Sequence, residues 1–153
     1  MQIWIIADTH FWHTMLGRKG YRPLDFTERI IANWQRLVNP EDTVLHLGDV
    51  ILGRNSTLLD IMTTLPGTKF LIRGNHDSRA GWFEKRGFAF VCDQLVRGDV
   101  LFTHEPVPHT YRLNVHGHCH GNSVNLPWYD YNRYREVVIE KTLSPIALKD
   151  VIR

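Results

Sequence analysis

Five short blocks of acid, histidine and asparagine residues punctuate the chain: Asp8-Thr9-His10, Gly48-Asp49, Gly74-Asn75-His76-Asp77, His104, and His116-Gly117-His118. Seven of these side chains are oxygen or nitrogen metal ligands (Asp8, His10, Asp49, Asn75, His104, His116 and His118), and none offers sulfur. One ion needs fewer ligands than this, so the set predicts two ions held side by side. A positively charged pair of that kind attracts anions and lowers the pKa of bound water toward neutrality, which makes a hydrolytic nucleophile. Asp8 with His10, and His116 with His118, are two residues apart, the spacing that puts side chains on one face of a strand end. Gly48 and Gly74 beside the ligands allow close backbone approach.

Positioning these blocks requires strand tips that converge on one edge, as in layered α/β architectures. Each block follows or ends an apolar run. Residues 3–7 read as a buried strand, residues 43–47 as a second and residues 68–72 as a third. Residues 11–25 read as a long loop rich in aromatics and cations. Asp25 and Glu28 have capping-box spacing, predicting a helix to about residue 38 that buries Phe26, Ile30, Ile31, Trp34 and Leu37. A helix is expected over residues 56–65, closed by Pro66-Gly67. Another, over 79–86, would have Asp77 or Ser78 as its cap. After Gly87 the pattern changes to short strands with tight turns. They are residues 88–91, a hairpin over 94–102 turning at Arg97-Gly98-Asp99, residues 113–116, and an edge strand over 135–140. Ser144-Pro145 reads as N-cap and first residue of a terminal helix.

The length of 153 residues fits a single domain spanning 1–153. A hydrophobic content of 43% with 22% charged residues is ordinary for a soluble globular protein. A net charge of +2 is too small to announce a nucleic-acid binder, so no stable nucleic-acid partner is expected. Nine histidines are many for this length, and metal ligation would explain the excess. Cys92 and Cys119 show no disulfide or zinc spacing and read as reduced thiols. No run reaches the roughly 18 apolar residues of a membrane span. No basic segment with an apolar stretch marks a signal peptide, so a cytoplasmic location without membrane association is expected.

The order D-x-H, G-D, G-N-H-D, H, G-H-x-H resembles the calcineurin-like metallophosphoesterase superfamily, in the manner of its small bacterial and phage members. That resemblance implies an α/β fold, a four-layer α-β-β-α sandwich of two mixed sheets flanked by helices. It also implies two divalent ions, with manganese, iron, zinc and nickel all suited to N/O ligands. By the same resemblance Asp8, His10 and His118 hold one metal, Asn75, His104 and His116 the other, and Asp49 bridges. His76, not itself a ligand, lies at the site and protonates or steadies the leaving oxygen, a role suited to imidazole. The implied reaction is attack of metal-activated hydroxide on a small phosphate ester, which includes nucleotides, with diesters cleaved at least as well as monoesters. A nuclease and a phosphomonoesterase are alternatives. A non-enzymatic scaffold of the same fold is disfavoured because all seven ligands and His76 are present.

Other residues carry weaker signals. Arg73 resembles the arginine of the R-G-N-H motif in Ser/Thr protein phosphatases and is a candidate phosphate contact. The stretch Val50-Ile51-Leu52-Gly53-Arg54 departs from the G-D-x-x-D-R-G of those enzymes. Arg54 and Arg22 are speculative helpers. His13, three residues after His10, is a candidate substrate contact. His46 reads as a hydrogen-bonded core histidine, and His109 as a loop residue that could line the cleft. A third-ligand role for His120 is not expected, because Gly121 should end the strand. Trp128, Tyr129, Tyr131 and Tyr134 could stack on a base or pack against a sheet edge.

Overall fold

The computed structural model describes residues 1–52 and 60–153. Its nine strands form two mixed sheets. The first has the order β4-β3-β2-β1-β9, with β1 (Ile3–Ile6), β2 (Thr43–His46), β3 (Thr68–Ile72) and β4 (Phe88–Cys92) parallel, and β9 (Ile146–Ala147) antiparallel to β1. The second has the order β5-β6-β7-β8. There β5 (Gln94–Arg97) and β6 (Val100–Thr103) form the expected hairpin, while β6, β7 (Leu113–His116) and β8 (Tyr134–Glu136) run parallel.

Strand alternation builds two cores. Ile5, Leu45, Ile72, Phe102 and Val115 fill the space between the sheets. Ile6, Val44 and Leu71 face the other way, toward the helices. Helix α2 (Phe26–Leu37) presents Phe26, Ile30 and Trp34 as a stripe four residues apart, all buried against that face. Helices α3 (Ile61–Thr64) and α4 (Ala80–Glu84) add Met62 and Phe83 to the same core. On the outer face of the second sheet, Asn114 and Tyr134 bond to Val107 in the loop after β6. Among the described residues no helix is long and apolar enough to cross a membrane.

Several local expectations need correction. The loop over 11–25 contains a short helix, α1 (Thr14–Arg18). Asp25 precedes α2 but caps nothing; its carboxylate instead takes Arg29 at 2.9 Å, one turn on. The strand expected over 135–140 stops at Glu136, and Ile139–Lys141 form a 3-10 turn. Ser144 and Pro145 do not start a helix. Ile146 and Ala147 first pair with Ile5 and Trp4, covering the open edge of β1, and α5 (Leu148–Val151) begins only after that. Of the helix expected over 56–65, residues 56–59 lie outside the described residues, as does Arg54.

Parallel strands carry their carboxyl ends to one edge, which brings the blocks after β1, β2 and β3 together. The turns there leave backbone N–H groups in buried positions. Asp77, expected as a helix cap, satisfies them: it accepts Asp49 N and Gly74 N at 2.8 Å each and Val50 N at 3.0 Å. Burial nevertheless pushes its carboxyl up to about 6, against the pull of those donors. Asp77→Ala would orphan three donors at once. Urea unfolding should show a loss of roughly 3 kcal/mol or more, since each buried orphan costs about 1–3 kcal/mol. A loss inside the ~0.5 kcal/mol range of surface substitutions would refute this bracing role.

Candidate metal centre

The blocks after β1 and β2 are zipped together by main chain. Asp8 N donates to Gly48 O at 2.9 Å, His10 N to Asp49 O at 3.0 Å and Phe11 N to Val50 O at 3.0 Å. Keeping this pairing past the strand ends forces left-handed backbone on residues that disfavour it: φ is 51° at Asp8, 42° at His10 and 54° at Asp49. His118 and His120 share the feature, at 71° and 53°. Strain of this kind gathers where side chains must be aimed against backbone preference. Gly48 and Gly74 are needed for close contact, and Gly48, at φ 94°, also for its left-handed backbone. A Cβ on Gly48 would lie 2.5 Å from Gly74 N, and one on Gly74 would lie 2.6 Å from Asp49 N. His46, fully buried, ties the same turns: Gly48 N donates to its Nδ1 at 3.1 Å. Its Nε2 therefore carries the proton for Thr9 Oγ1 at 3.0 Å, and Thr9 donates onward to Val50 O.

Two groups of donor atoms result. Asp8, His10 and His120 place ligand atoms within 4.8 Å of one another, and so do Asp8, Asp49 and His104. Asp49 Oδ2 lies 3.6 Å from His10 Nε2 and 3.5 Å from His104 Nε2. His104 Nε2 also faces Asn75 Oδ1 at 2.9 Å and His118 Nδ1 at 3.1 Å. Its Nδ1–H is already spent on Leu47 O at 2.7 Å. Burial holds His104 below the usual histidine range, so the neutral ring turns a lone pair toward other acceptors. Asp8 Oδ1 is buried with no hydrogen-bond partner among the described residues. Burial raises the Asp8 carboxyl to about 7. It lowers His10 to about 3, with nearby Arg22 adding to the effect. Acceptors facing acceptors around a buried, unpartnered carboxylate oxygen form a donor set that a divalent cation would satisfy.

Six of the seven expected ligand residues, Asp8, His10, Asp49, Asn75, His104 and His118, meet in this cluster. The seventh, His116, spends both ring nitrogens elsewhere: Nδ1–H goes to Gly117 O at 2.8 Å, and Nε2 accepts Tyr129 O–H at 2.9 Å. It still belongs to β7, and alternation sends its side chain to the outer face with Asn114. His120 takes the opposite course. Its ring stacks on His10 at 5.5 Å and its Nε2 reaches within 4.0 Å of Asp8 Oδ1. A signal for it was present: Gly117-His118-Cys119-His120 itself reads G-H-x-H. The strand does end early, at His116, but the left-handed turn beyond it brings both later histidines back to the cluster.

His76 is exposed at the rim; its backbone N–H donates to Asp49 Oδ1 at 3.0 Å and its ring lies 5.8 Å from His10. The His13 ring is 6.0 Å from His10. Arg73 lines a cleft of about 340 Å³ with Asn75 and His104, but Asp93 in the same cleft takes its Nε at 2.9 Å. Arg22 is buried and committed to Asp8 O, Thr9 O and Glu140. Another cleft, of about 450 Å³, opens between Leu16, Tyr21, His120 and Glu140. His109 packs on Tyr134 at 4.8 Å rather than lining either cleft. The aromatic stretch packs on itself, Tyr129 stacking on Tyr134 at 4.3 Å. Cys92 and Cys119 are both free.

Known proteins share this architecture. The chain is 32% identical to an uncharacterized protein of Methanocaldococcus jannaschii over 164 residues, covering 98% of this chain and 86% of that one. A protein of unknown function from Aquifex aeolicus superposes with a TM-score of 0.78 at 27% identity, covering 97% and 96% of the two chains. A nuclease of Pseudomonas putida superposes at 0.55 with 24% identity, over 77% of this chain and 60% of that one, a likeness of fold alone. The sequence pattern of the calcineurin-like phosphoesterases matches residues 1–150, every strand-end block included, and the chain belongs to that family.

Proposed function

We propose that the chain is a dinuclear metal-dependent phosphoesterase in which Asp8, His10 and His120 hold one ion, Asn75, His104 and His118 the other, and Asp49 both. His120 replaces His116 in the set expected from sequence. The observation that carries this reading is the position of Asp49, whose Oδ2 lies about equally far from His10 Nε2, at 3.6 Å, and His104 Nε2, at 3.5 Å. Bound there, two divalent ions supply Lewis acidity and a water made nucleophilic at neutral pH. Asp8 and Asp49 provide the negative charge, and the buried neutral histidines provide lone pairs. His76, tethered through its N–H to the Asp49 carboxylate, stands at the rim to give a proton to the leaving oxygen. His13, just before α1 with its ring 6.0 Å from His10, meets the substrate in this reading.

The charge distribution favours diesters. A monoester carries about −1.5 to −2 charge and three terminal oxygens, so its enzymes benefit from an added cationic clamp. Arg73 is paired with Asp93, and Arg22 is buried with Glu140. Neither guanidinium is left unpaired for a third oxygen. A diester has two terminal oxygens, a number that needs no such clamp.

Three measurements test these assignments. Protein purified without chelator should contain about two equivalents of metal, and Asp49→Ala should lower occupancy at both positions. Wild type that stays near one equivalent under saturating manganese refutes the dinuclear reading. His76→Ala should keep the metal and the fold yet lose roughly 100-fold or more in turnover. The loss should shrink for esters with good leaving groups; equal losses for good and poor ones would remove His76 as the acid. Finally, kcat/KM for bis-p-nitrophenyl phosphate should equal or exceed that for p-nitrophenyl phosphate with the same metal. A strong monoester preference would reverse the charge argument and restore Arg73 as a clamp.

A further inference from the structure

Behind the Asp8–His10–His120 group lies a partly buried chain of polar contacts joining two distant parts of the sequence. Arg22, whose side chain is fully inaccessible, donates from Nη2 to Asp8 O at 2.8 Å and from Nη1 to Thr9 O at 2.9 Å. Its Nε and Nη2 also donate to Glu140 Oε1, at 2.9 and 2.6 Å. The same Glu140 oxygen lies 2.9 Å from His120 Nδ1. A carboxylate only accepts, so His120 must carry its proton on Nδ1. The remaining nitrogen, Nε2, is the one turned toward Asp8 Oδ1 at 4.0 Å.

We infer that Glu140, anchored by Arg22, is a positioning residue for the first metal. It fixes His120 in the Nδ1–H tautomer, so that the Nε2 lone pair faces the ion, while Arg22 holds the carbonyls of the turn that presents Asp8 and His10. This inference rests on the ligand set proposed above. A carboxylate behind a ligating histidine orients the ring and raises its basicity, and losing such a partner costs about 10–100-fold in metal affinity. Arg22 gives the arrangement its rigidity. A guanidinium forks between Glu140 and two main-chain oxygens in a fixed plane, so the ligand turn and the carboxylate behind His120 cannot drift independently. Tyr21 and Leu16 line the cleft over Glu140, so the contact forms beside the site and not on an open surface.

The test is a manganese titration of chelator-stripped wild type and Glu140→Gln, followed by calorimetry and by electron paramagnetic resonance. Glu140→Gln should weaken one class of site about 10–100-fold and leave the other nearly unchanged, with the spin-coupled pair signal lost at limiting metal. Equal weakening of both sites, or none, in a folded variant overturns the inference. The wild-type arm keeps the two readings separable. Failure of wild type to bind two ions strikes the dinuclear proposal, whereas two ions bound alike in both proteins strikes only the role of Glu140. Because Glu140→Gln also leaves a buried arginine unpaired, a second measurement avoids substitution altogether. Long-range proton–nitrogen correlation on zinc-loaded wild type should show His120 protonated at Nδ1 and metal-bound at Nε2. The reverse assignment would overturn the inference even if the variant does not fold.

Discussion

The continuation of the β1–β2 ladder beyond the last strand residue is the contact on which the rest of this site depends. Ile6 pairs with His46 inside the sheet, and Leu47 N still donates to Ile6 O. The pairing then runs on through Asp8, His10 and Phe11 against Gly48, Asp49 and Val50. Two chains that should diverge at a sheet edge are kept in register for several more residues. Left-handed backbone at Asp8, His10 and Asp49 follows from that register, as does the exclusion of any side chain at Gly48 and Gly74. Asp77 and the His46–Thr9 pair absorb the polar groups that the tight approach would otherwise strand.

This close approach creates an electrostatic problem that organises the chemistry. Asp8 and Asp49 are buried almost completely, beside histidines that burial keeps neutral. The carboxyl of Asp8 is raised to about 7 by loss of solvent, although His120 and the His118 N–H oppose the rise. Nearby Glu140 behaves differently: burial alone would raise it, yet His120 and Arg22 draw it down to about 2. Glu140 is paired with a permanent cation, Arg22, and Asp8 has none. The acid without one sits where the donor atoms of five histidine and asparagine side chains converge, the setting in which a divalent ion would supply the missing charge.

Two clefts open beside the cluster. The cleft past Asn75 and His104 carries the Arg73–Asp93 pair, while the cleft past His120 is lined by Leu16 of α1 and by Tyr21. The short α1 helix, unforeseen in the loop after the first block, is the element that gives the second cleft its wall.

Sequence alone determined the first three strands, because residues buried on both faces of a parallel sheet must read as continuous apolar runs, and those runs ended at the acid and histidine blocks. It also determined that the blocks converge, since parallel strands deliver their carboxyl ends to one edge. Six of the seven residues expected as ligands come together in the structure, Asp8, His10 and Asp49 for that reason. What sequence could not decide were features set by contacts between distant segments. Spacing made His116 and His118 equivalent, but His116 remains in β7 with its ring toward Tyr129, while a turn with positive φ returns His120 to Asp8. Asp77 looked like a cap because nothing local shows the unpaired amides of Asp49 and Val50 in the turn after β2. Arg22 and Glu140 carried no motif at all. They lie 118 residues apart, and only the packing of α1, the 3-10 turn and the first strand end makes one the partner of the other.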